Sequence, residues 1–143
     1  MVREGITPHK MALTVALGTA FGLIPVFGGT TIFCLLVAFI FGLNKPAVLL
    51  INLFVYPLQL LFYVPFIHIG EYLLGYPHLI SSFAELVEML RSDWLMGSQE
   101  IWLHNLLGIL AWSLIMIPFS LLLYFLTRPL FKRVISDMEN PDK

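Results

Sequence analysis

The chain has 143 residues, of which 59% are hydrophobic and only 12% are charged. Soluble domains have roughly 45–50% apolar and about 25% charged residues, so the composition excludes an ordinary water-soluble globule. A net charge of −1 excludes a general binder of nucleic acid, and the single cysteine, Cys34, excludes an intramolecular disulfide and a cysteine-based zinc cluster. Three long stretches without Asp, Glu, Lys or Arg instead predict an all-α integral membrane protein.

The first charge-free stretch, 11–43, contains a cluster of helix-breaking residues near its middle, at Pro25, Gly28 and Gly29. Each half is shorter as a helix than the hydrocarbon core of about 30 Å. We expect either a re-entrant helical hairpin whose tip lies inside the membrane, or two short tilted spans. Thr30 or Thr31 is expected to cap the second helix.

The second stretch is free of charged residues over 46–70, and the segment 47–74 is long enough to cross a membrane as a helix. Asn44, just before it, is expected to be a cap or turn residue. Pro57 and Pro65 predict that this span bends or breaks. Asn52 and Gln59 lie two helical turns apart and would need partners if they are buried. Two roles are possible for these side chains, namely hydrogen bonding between helices and contact with a solute.

The segment 79–96 has apolar residues at helical spacing and acidic residues on its other faces, which predicts an amphipathic helix on the membrane surface. Gly97 and Ser98 are expected to end that helix. The segment 101–127 is the cleanest predicted span, with only Pro118 to kink it. The polar tail, 136–143, is expected to be flexible.

Basic residues cluster at three points of the chain, and an acidic excess lies between Glu71 and Glu100. The positive-inside rule then predicts a multi-pass protein of the bacterial inner (plasma) membrane with both termini in the cytoplasm, including 1–10 and the turn at Lys45. We treat the chain as one membrane domain, 1–143, and expect a dimer or larger homo-oligomer, because a chain of this size does not readily enclose a pathway alone.

Small residues recur every fourth position in the first helix, at Thr14, Gly18 and Gly22. This spacing is typical of close helix packing in lipid, and lining of a ligand site is the alternative. At the Pro25–Thr31 tip, a helix N-terminus offers free N–H donors to a phosphate or carboxylate, although the glycines also serve simply to make the turn.

The titratable residues suggest two further features. Lys10 and Lys45 bracket the first stretch at one membrane surface, where they either hold an anionic head group or only orient the chain. His68 and Glu71 lie three residues apart, so on a continuous helix they would be neighbours. They form either a proton-coupling pair or a solvated pair at the membrane boundary.

Catalytic patterns are not found in the sequence. The four histidines are scattered, and HExxH, Gly-x-Ser-x-Gly and GxGxxG placed after a strand do not occur. We therefore expect neither an enzyme nor a cofactor nor a metal site.

An ordered set of motifs over residues 3–75 resembles domain-of-unknown-function family 2062. The set comprises Gly5-x-Thr7-Pro8, Ala16-x-Gly18-x-x-Phe21-Gly22-x-x-Pro25-x-x-Gly28, Asn44-x-Pro46, Pro57 and Gly70. The chain departs from the family pattern where Tyr56-Pro57-Leu58-Gln59 replaces Asn-Pro-x-Thr and where Thr7-Pro8 replaces Ser-Pro. The resemblance implies a small bacterial integral membrane protein, and family members are sometimes fused to glycosyltransferases that use polyprenyl-phosphate carriers.

These observations support two functional hypotheses. The first is a transporter or lipid-carrier handling protein for an anionic solute or lipid head group, such as a polyprenyl phosphate. Its predicted ligand-binding residues are Lys10, Pro25, Gly28, Gly29, Thr30, Thr31, Lys45, Asn52, Tyr56 and Gln59. The second is a non-catalytic scaffold that anchors a partner enzyme such as a glycosyltransferase. Membrane lipid is a partner in both, and nucleic acid is a partner in neither.

Overall fold

A computed structural model describes residues 7–26, 29–78, 82–92 and 94–139 of the chain. Every regular element in these residues is helical, which confirms the all-α prediction. The helices are α1 (Pro8–Gly22), α2 (Thr30–Ile40), α3 (Lys45–Leu74), α4 (Phe83–Ser92) and α5 (Trp94–Glu139). The predicted tip residue Gly28, the start of the predicted amphipathic helix at 79–81 and the tail end at 140–143 lie outside the described residues.

The broken helical pair predicted for 11–43 is present as α1 and α2. Thr7 caps α1 by accepting a hydrogen bond of 3.2 Å from the Lys10 N–H, and Pro8 occupies the first helical turn, where its missing N–H costs nothing. The predicted threonine cap of α2 is wrong. Gly29 is the N-cap and makes no side-chain cap bond, while Thr30 is already the first helical residue.

The break predicted in the second stretch at its two internal prolines does not occur. α3 runs for 30 residues through Pro57 and Pro65, after Asn44 caps its start by accepting from the Ala47 N–H at 3.1 Å. Each proline removes one N–H donor and leaves the rest of the helical ladder in place, and neighbouring helices support a span at such points. The expected cap or turn role of Asn44 is confirmed.

The boundaries of the last two helices also differ from those predicted. Within the described part of the amphipathic segment, α4 covers Phe83–Ser92, and α5 begins at Trp94 and continues through Gly97 and Ser98. Glycine lowers helix propensity by about 1 kcal/mol, which a long packed helix tolerates. α5 also extends past the predicted span of 101–127 to Glu139, into the segment expected to be a flexible tail.

Helix α1 lies at the centre of the bundle and packs against α2, α3 and α5. The buried residues of α1 are all small and occur at every second position, namely Ala12, Thr14, Ala16, Gly18, Ala20 and Gly22. A Cβ on Gly18 would lie 3.1 Å from Ile51, and one on Gly22 would lie 3.2 Å from the Asn52 Oδ1. Small side chains therefore let α1 approach α3 closely.

Helix α5 runs antiparallel to both α1 and α3. His9 contacts Tyr124 near one end of α1, and the Trp112 Nε1–H donates a 2.9 Å hydrogen bond to the Ala20 carbonyl near the other. Gly70 of α3 lies directly against the Leu107 backbone, where a Cβ would overlap the carbonyl group. This crossing places the C-terminal end of α3 beside His104 and Leu107 of α5.

Two helices are long and apolar enough to cross a membrane by length and composition, 45–74 and 101–138. α3 has a length of about 45 Å at 1.5 Å per residue, which exceeds a hydrocarbon core of about 30 Å. Large apolar side chains on both helices point outwards, and among the described residues they include Leu53, Phe54, Leu61, Leu106, Leu114 and Leu122. An apolar exterior of this extent is typical of a lipid-facing surface.

Candidate functional site

Five basic residues of α1, α3 and α5 lie at one end of the bundle. We call it the basic end and define it by Lys10, Lys45, Arg128, Lys132 and Arg133. The starts of α1 and α3 lie there beside the C-terminal part of α5. Glu71 lies 26 residues along α3 from Lys45, a distance of about 39 Å. Lys45 and Glu71 are therefore separated by more than the thickness of a bilayer core.

A cavity of about 510 Å³ opens at the basic end between α1 and α5, and we call it the α1–α5 cavity. It is lined by Thr7, Pro8, His9, Phe125, Arg128, Pro129 and Lys132. Arg128 and Lys132 are one helical turn apart on α5, so both cations face the first turn of α1. The N-terminus of a helix carries a partial positive charge, so three positive groups surround this cavity.

A second cavity of about 340 Å³, the α1–α3 cavity, lies on the other side of the first turns of α1. Its lining is mostly apolar with one cation, and comprises Lys10, Met11, Thr14, Val15, Asn44, Ala47, Leu50, Ile51 and Phe131. The two cavities are lined by consecutive residues of α1, His9 and Lys10, so they are neighbours. Lys45 does not reach either one, because its Nζ lies over the Phe39 ring, 5.5 Å from the centroid.

The connection between α1 and α2 is held by two amides of α3. The Gln59 Nε2–H donates to the Ile24 carbonyl at 3.0 Å, and the Asn52 Nδ2–H donates to the Thr31 hydroxyl at 3.4 Å. Within the described part of the chain, the oxygens of both amides are buried without a hydrogen-bond partner. The two amides thus tie α3 to the α1–α2 connection and to the start of α2. Their remaining polar atoms at the tip are the two amide oxygens, which accept hydrogen bonds and therefore disfavour an anion there.

The other predicted ligand residues are spread over different surfaces. Pro25 and Thr30 are buried in the connection, and Gly29 is packed so closely that a Cβ would lie 3.0 Å from Val26. Tyr56 faces outwards, with 46% of its surface exposed. The structure therefore brings Asn52, Gln59 and the tip together, and it leaves Tyr56, Lys10 and Lys45 elsewhere.

At the end of the bundle opposite the basic residues, the carboxylate of Glu71 is completely buried between two histidines. The Nδ1–H of His104 donates to Oε1 and the Nδ1–H of His78 donates to Oε2, each at 2.6 Å. His104 is itself buried, whereas His78 is mostly exposed. We call His68, Glu71, His78 and His104 the histidine end.

A glycine turn brings distant histidines to this carboxylate. α3 ends at Leu74 and is capped by Gly75, which adopts the left-handed conformation with φ +71°, and the Tyr76 N–H donates to the Glu71 carbonyl at 2.9 Å. The chain then reverses, and the His78 ring comes to lie 4.8 Å from the His68 ring. His68 and Glu71, predicted to be neighbours, both lie on α3. Glu71 is not solvated, because its side chain has no exposed surface.

Sequence reasoning missed several of these groups. Arg128 and Lys132 were used only to orient the chain, although their spacing of four already places them on one helix face. His78 and His104 carried no signal at all. Only the turn at Gly75 and the crossing at Gly70 bring them to Glu71, and both features depend on tertiary structure.

Comparison with known proteins returned a single assignment. No curated protein matches the chain, and no solved structure matches it. A family model described as an uncharacterized protein conserved in bacteria matches residues 1–138, well beyond the motifs over residues 3–75. The chain therefore belongs to domain-of-unknown-function family 2062, a family of bacterial proteins.

Proposed function

We propose that this protein binds an anionic lipid at its basic end, as a transporter or carrier-handling protein for a lipid with a phosphate-type head group. The observation that carries the proposal is the α1–α5 cavity, in which Arg128 and Lys132 face the N-terminal turn of α1. Arginine pairs with phosphate through two parallel hydrogen bonds, and a helix N-terminus adds oriented N–H groups and a positive dipole end.

The neighbouring α1–α3 cavity suits the apolar part of such a lipid. Leu50, Ile51 and Phe131 supply an apolar wall, and Lys10 stands among them as a further cation. A head group in one cavity and the first part of a chain in the other would span the first turns of α1. A long isoprenoid or acyl chain would continue along the exposed apolar surface of the bundle, where lipid already surrounds the protein.

This proposal places the bundle across the inner membrane with the basic end on the cytoplasmic side, as the positive-inside rule favours. The α1–α2 connection, held by Gln59, would then lie about 21 Å along α3 from Lys45. That depth supports a re-entrant hairpin over two complete spans. A buried Gln59 at this level keeps the irregular backbone of the connection away from lipid, as a membrane requires.

Native mass spectrometry of the full-length protein in mild detergent tests the proposal. The added probes are a polyprenyl phosphate, phosphatidylglycerol and zwitterionic phosphatidylcholine. We expect the wild-type protein to retain the two anionic lipids in preference to phosphatidylcholine. Arg128→Gln and Lys132→Gln should each lower that retention about tenfold, since a hydrogen bond to a charged group contributes about 1.5–3 kcal/mol.

Arg133→Gln is the matched control, because it removes one positive charge at the same end without lining either cavity. It should leave anionic-lipid retention within about twofold of the wild type. Equal retention of anionic and zwitterionic lipids would contradict the proposal. So would a loss in Arg133→Gln as large as that in Lys132→Gln, because the binding would then depend on overall charge.

A further inference from the structure

We infer that the histidine end is a binding site for a divalent transition-metal ion such as Zn²⁺, with His68, Glu71 and His78 as its protein ligands. One donor atom from each of these residues lies within 4.8 Å of the other two. Two imidazoles and one carboxylate are a known catalytic-type ligand set for zinc, which leaves the fourth position of the tetrahedron open to water. The inference concerns the opposite end from the lipid cavities and is independent of the proposed function.

The three ligands are carried by a rigid frame. His68 and Glu71 lie one turn apart on α3, so their donor atoms project from the same helix face. His78 reaches them because the left-handed turn at Gly75 reverses the chain. A tetrahedral zinc site has ligand-to-ligand distances of about 3.3 Å, given bonds of about 2.0 Å, so separations of up to 4.8 Å must shorten on metal binding. If His78 binds through Nδ1, the proton that Nδ1 now donates to Oε2 of Glu71 is released to solvent and these two atoms, 2.6 Å apart, separate slightly.

His104 supplies the supporting contact that metal ligands usually have. Its Nδ1–H holds Oε1 of Glu71 at 2.6 Å, which fixes the orientation of the carboxylate while Oε2 faces His78. Partners of this kind orient the ligands and raise metal affinity. A carboxylate with no exposed surface, at the rim of a membrane protein, is costly to retain unless a cation or a set of donors compensates it.

Metal titration of the full-length protein, stripped with a chelator and purified in detergent, tests the inference. The probes are Zn²⁺, followed by calorimetry, and Co²⁺, followed by its visible absorption, which is intense in four-coordinate sites. We expect one metal ion per chain, with the intense Co²⁺ spectrum. His68→Gln and His78→Gln should each weaken affinity at least 100-fold, and His104→Gln about 10- to 100-fold, as for other supporting residues.

His9→Gln is the matched control, since His9 is an exposed histidine at the basic end whose ring contacts Tyr124. It should bind the metal like the wild type. Because His78 is mostly exposed, its replacement leaves the fold intact, and an unchanged unfolding temperature of the metal-free variant checks this. Stoichiometric binding that survives His78→Gln, binding lost equally in His9→Gln, or no binding by the folded wild-type protein would each overturn the inference.

Discussion

The polar groups at the two ends of the bundle differ in their charge and in the partners that the protein provides for them. At the basic end, Lys10, Arg128 and Lys132 line open cavities, and the last two face the N-terminal turn of α1, which carries a partial positive charge. At the histidine end, a buried carboxylate already has two hydrogen-bond donors from the protein itself. The first arrangement favours an anion, whereas the second holds a carboxylate in a fixed position beside two histidines. We therefore propose ligands of opposite charge for the two ends, an anionic lipid at the basic end and a metal cation at the histidine end.

The largest expected effect comes from separating the helices that build the histidine end. In Gly70→Ala the added Cβ overlaps the Leu107 carbonyl, so α3 and α5 must move apart. We expect a loss of about 3 kcal/mol in the free energy of unfolding, measured by denaturant titration in detergent. Gly75→Asn is the control, because its Cβ meets open space and asparagine tolerates the left-handed conformation. Equal stability of Gly70→Ala and the wild type would show that the crossing is looser than described.

Removing the buried carboxylate should have the next largest effect. Glu71→Ala leaves the buried His104 without its acceptor, and a buried donor left without a partner costs about 2 kcal/mol. His78→Ala should cost under about 1 kcal/mol, since the exposed ring is readily hydrated. The same unfolding measurement compares the two variants. If both cost the same, burial does not distinguish the partners of Glu71.

A hydrogen bond located midway between the two ends is expected to contribute less to the free energy of unfolding. The buried Trp112 donates to the Ala20 carbonyl, so Trp112→Phe should lower the free energy of unfolding by about 1 kcal/mol. Trp102→Phe is the matched control, because Trp102 is 60% exposed on the same helix. A loss in Trp102→Phe as large as that in Trp112→Phe would contradict the role assigned to this bond.

The smallest expected effect separates the two ends by their response to salt. Raising NaCl to about 1 M shortens the Debye length to about 3 Å, which screens exposed charges far more than buried ones. Retention of phosphatidylglycerol should therefore fall several-fold, while the stability difference between Glu71→Ala and the wild type stays constant. A salt-independent lipid interaction would indicate that the cations of the α1–α5 cavity do not contact the head group.

Much of the fold follows from local pattern, and the exceptions have identifiable causes. The charge-free stretches located the long helices, and Asn44 predicted the start of α3, because capping and hydropathy act over a few residues. The same local rules failed at Pro57, Pro65 and Gly97, where helix-breaking residues lie inside continuous helices. Inside a helix, glycine costs about 1 kcal/mol and proline about 3 kcal/mol or more, and packing of a long helix in an apolar bundle outweighs that cost.

The candidate sites were less accessible from the sequence than the fold. The pair His68 and Glu71 could be proposed because helical spacing makes them neighbours. His104 lies 33 positions from Glu71 and joins it only through the antiparallel packing of α3 and α5. One of the two interpretations of Lys10 and Lys45 is that they hold a head group together, but α1 and α3 direct them to different surfaces. Sequence spacing determines which residues share one face of a helix. Which residues of another helix pack against that face is determined by the tertiary structure.

Photo-crosslinking with an anionic lipid tests the central claim most directly. The full-length protein is reconstituted with a photoreactive phosphatidylglycerol whose reactive group lies next to the head group, and the adducts are mapped by peptide mass spectrometry. The account predicts adducts concentrated in 7–15 and 125–132, and their loss in the double variant of Arg128→Gln and Lys132→Gln but not in Arg133→Gln. Adducts concentrated in 52–63, beside the α1–α2 connection, or distributed evenly along the exposed apolar surface, would contradict it.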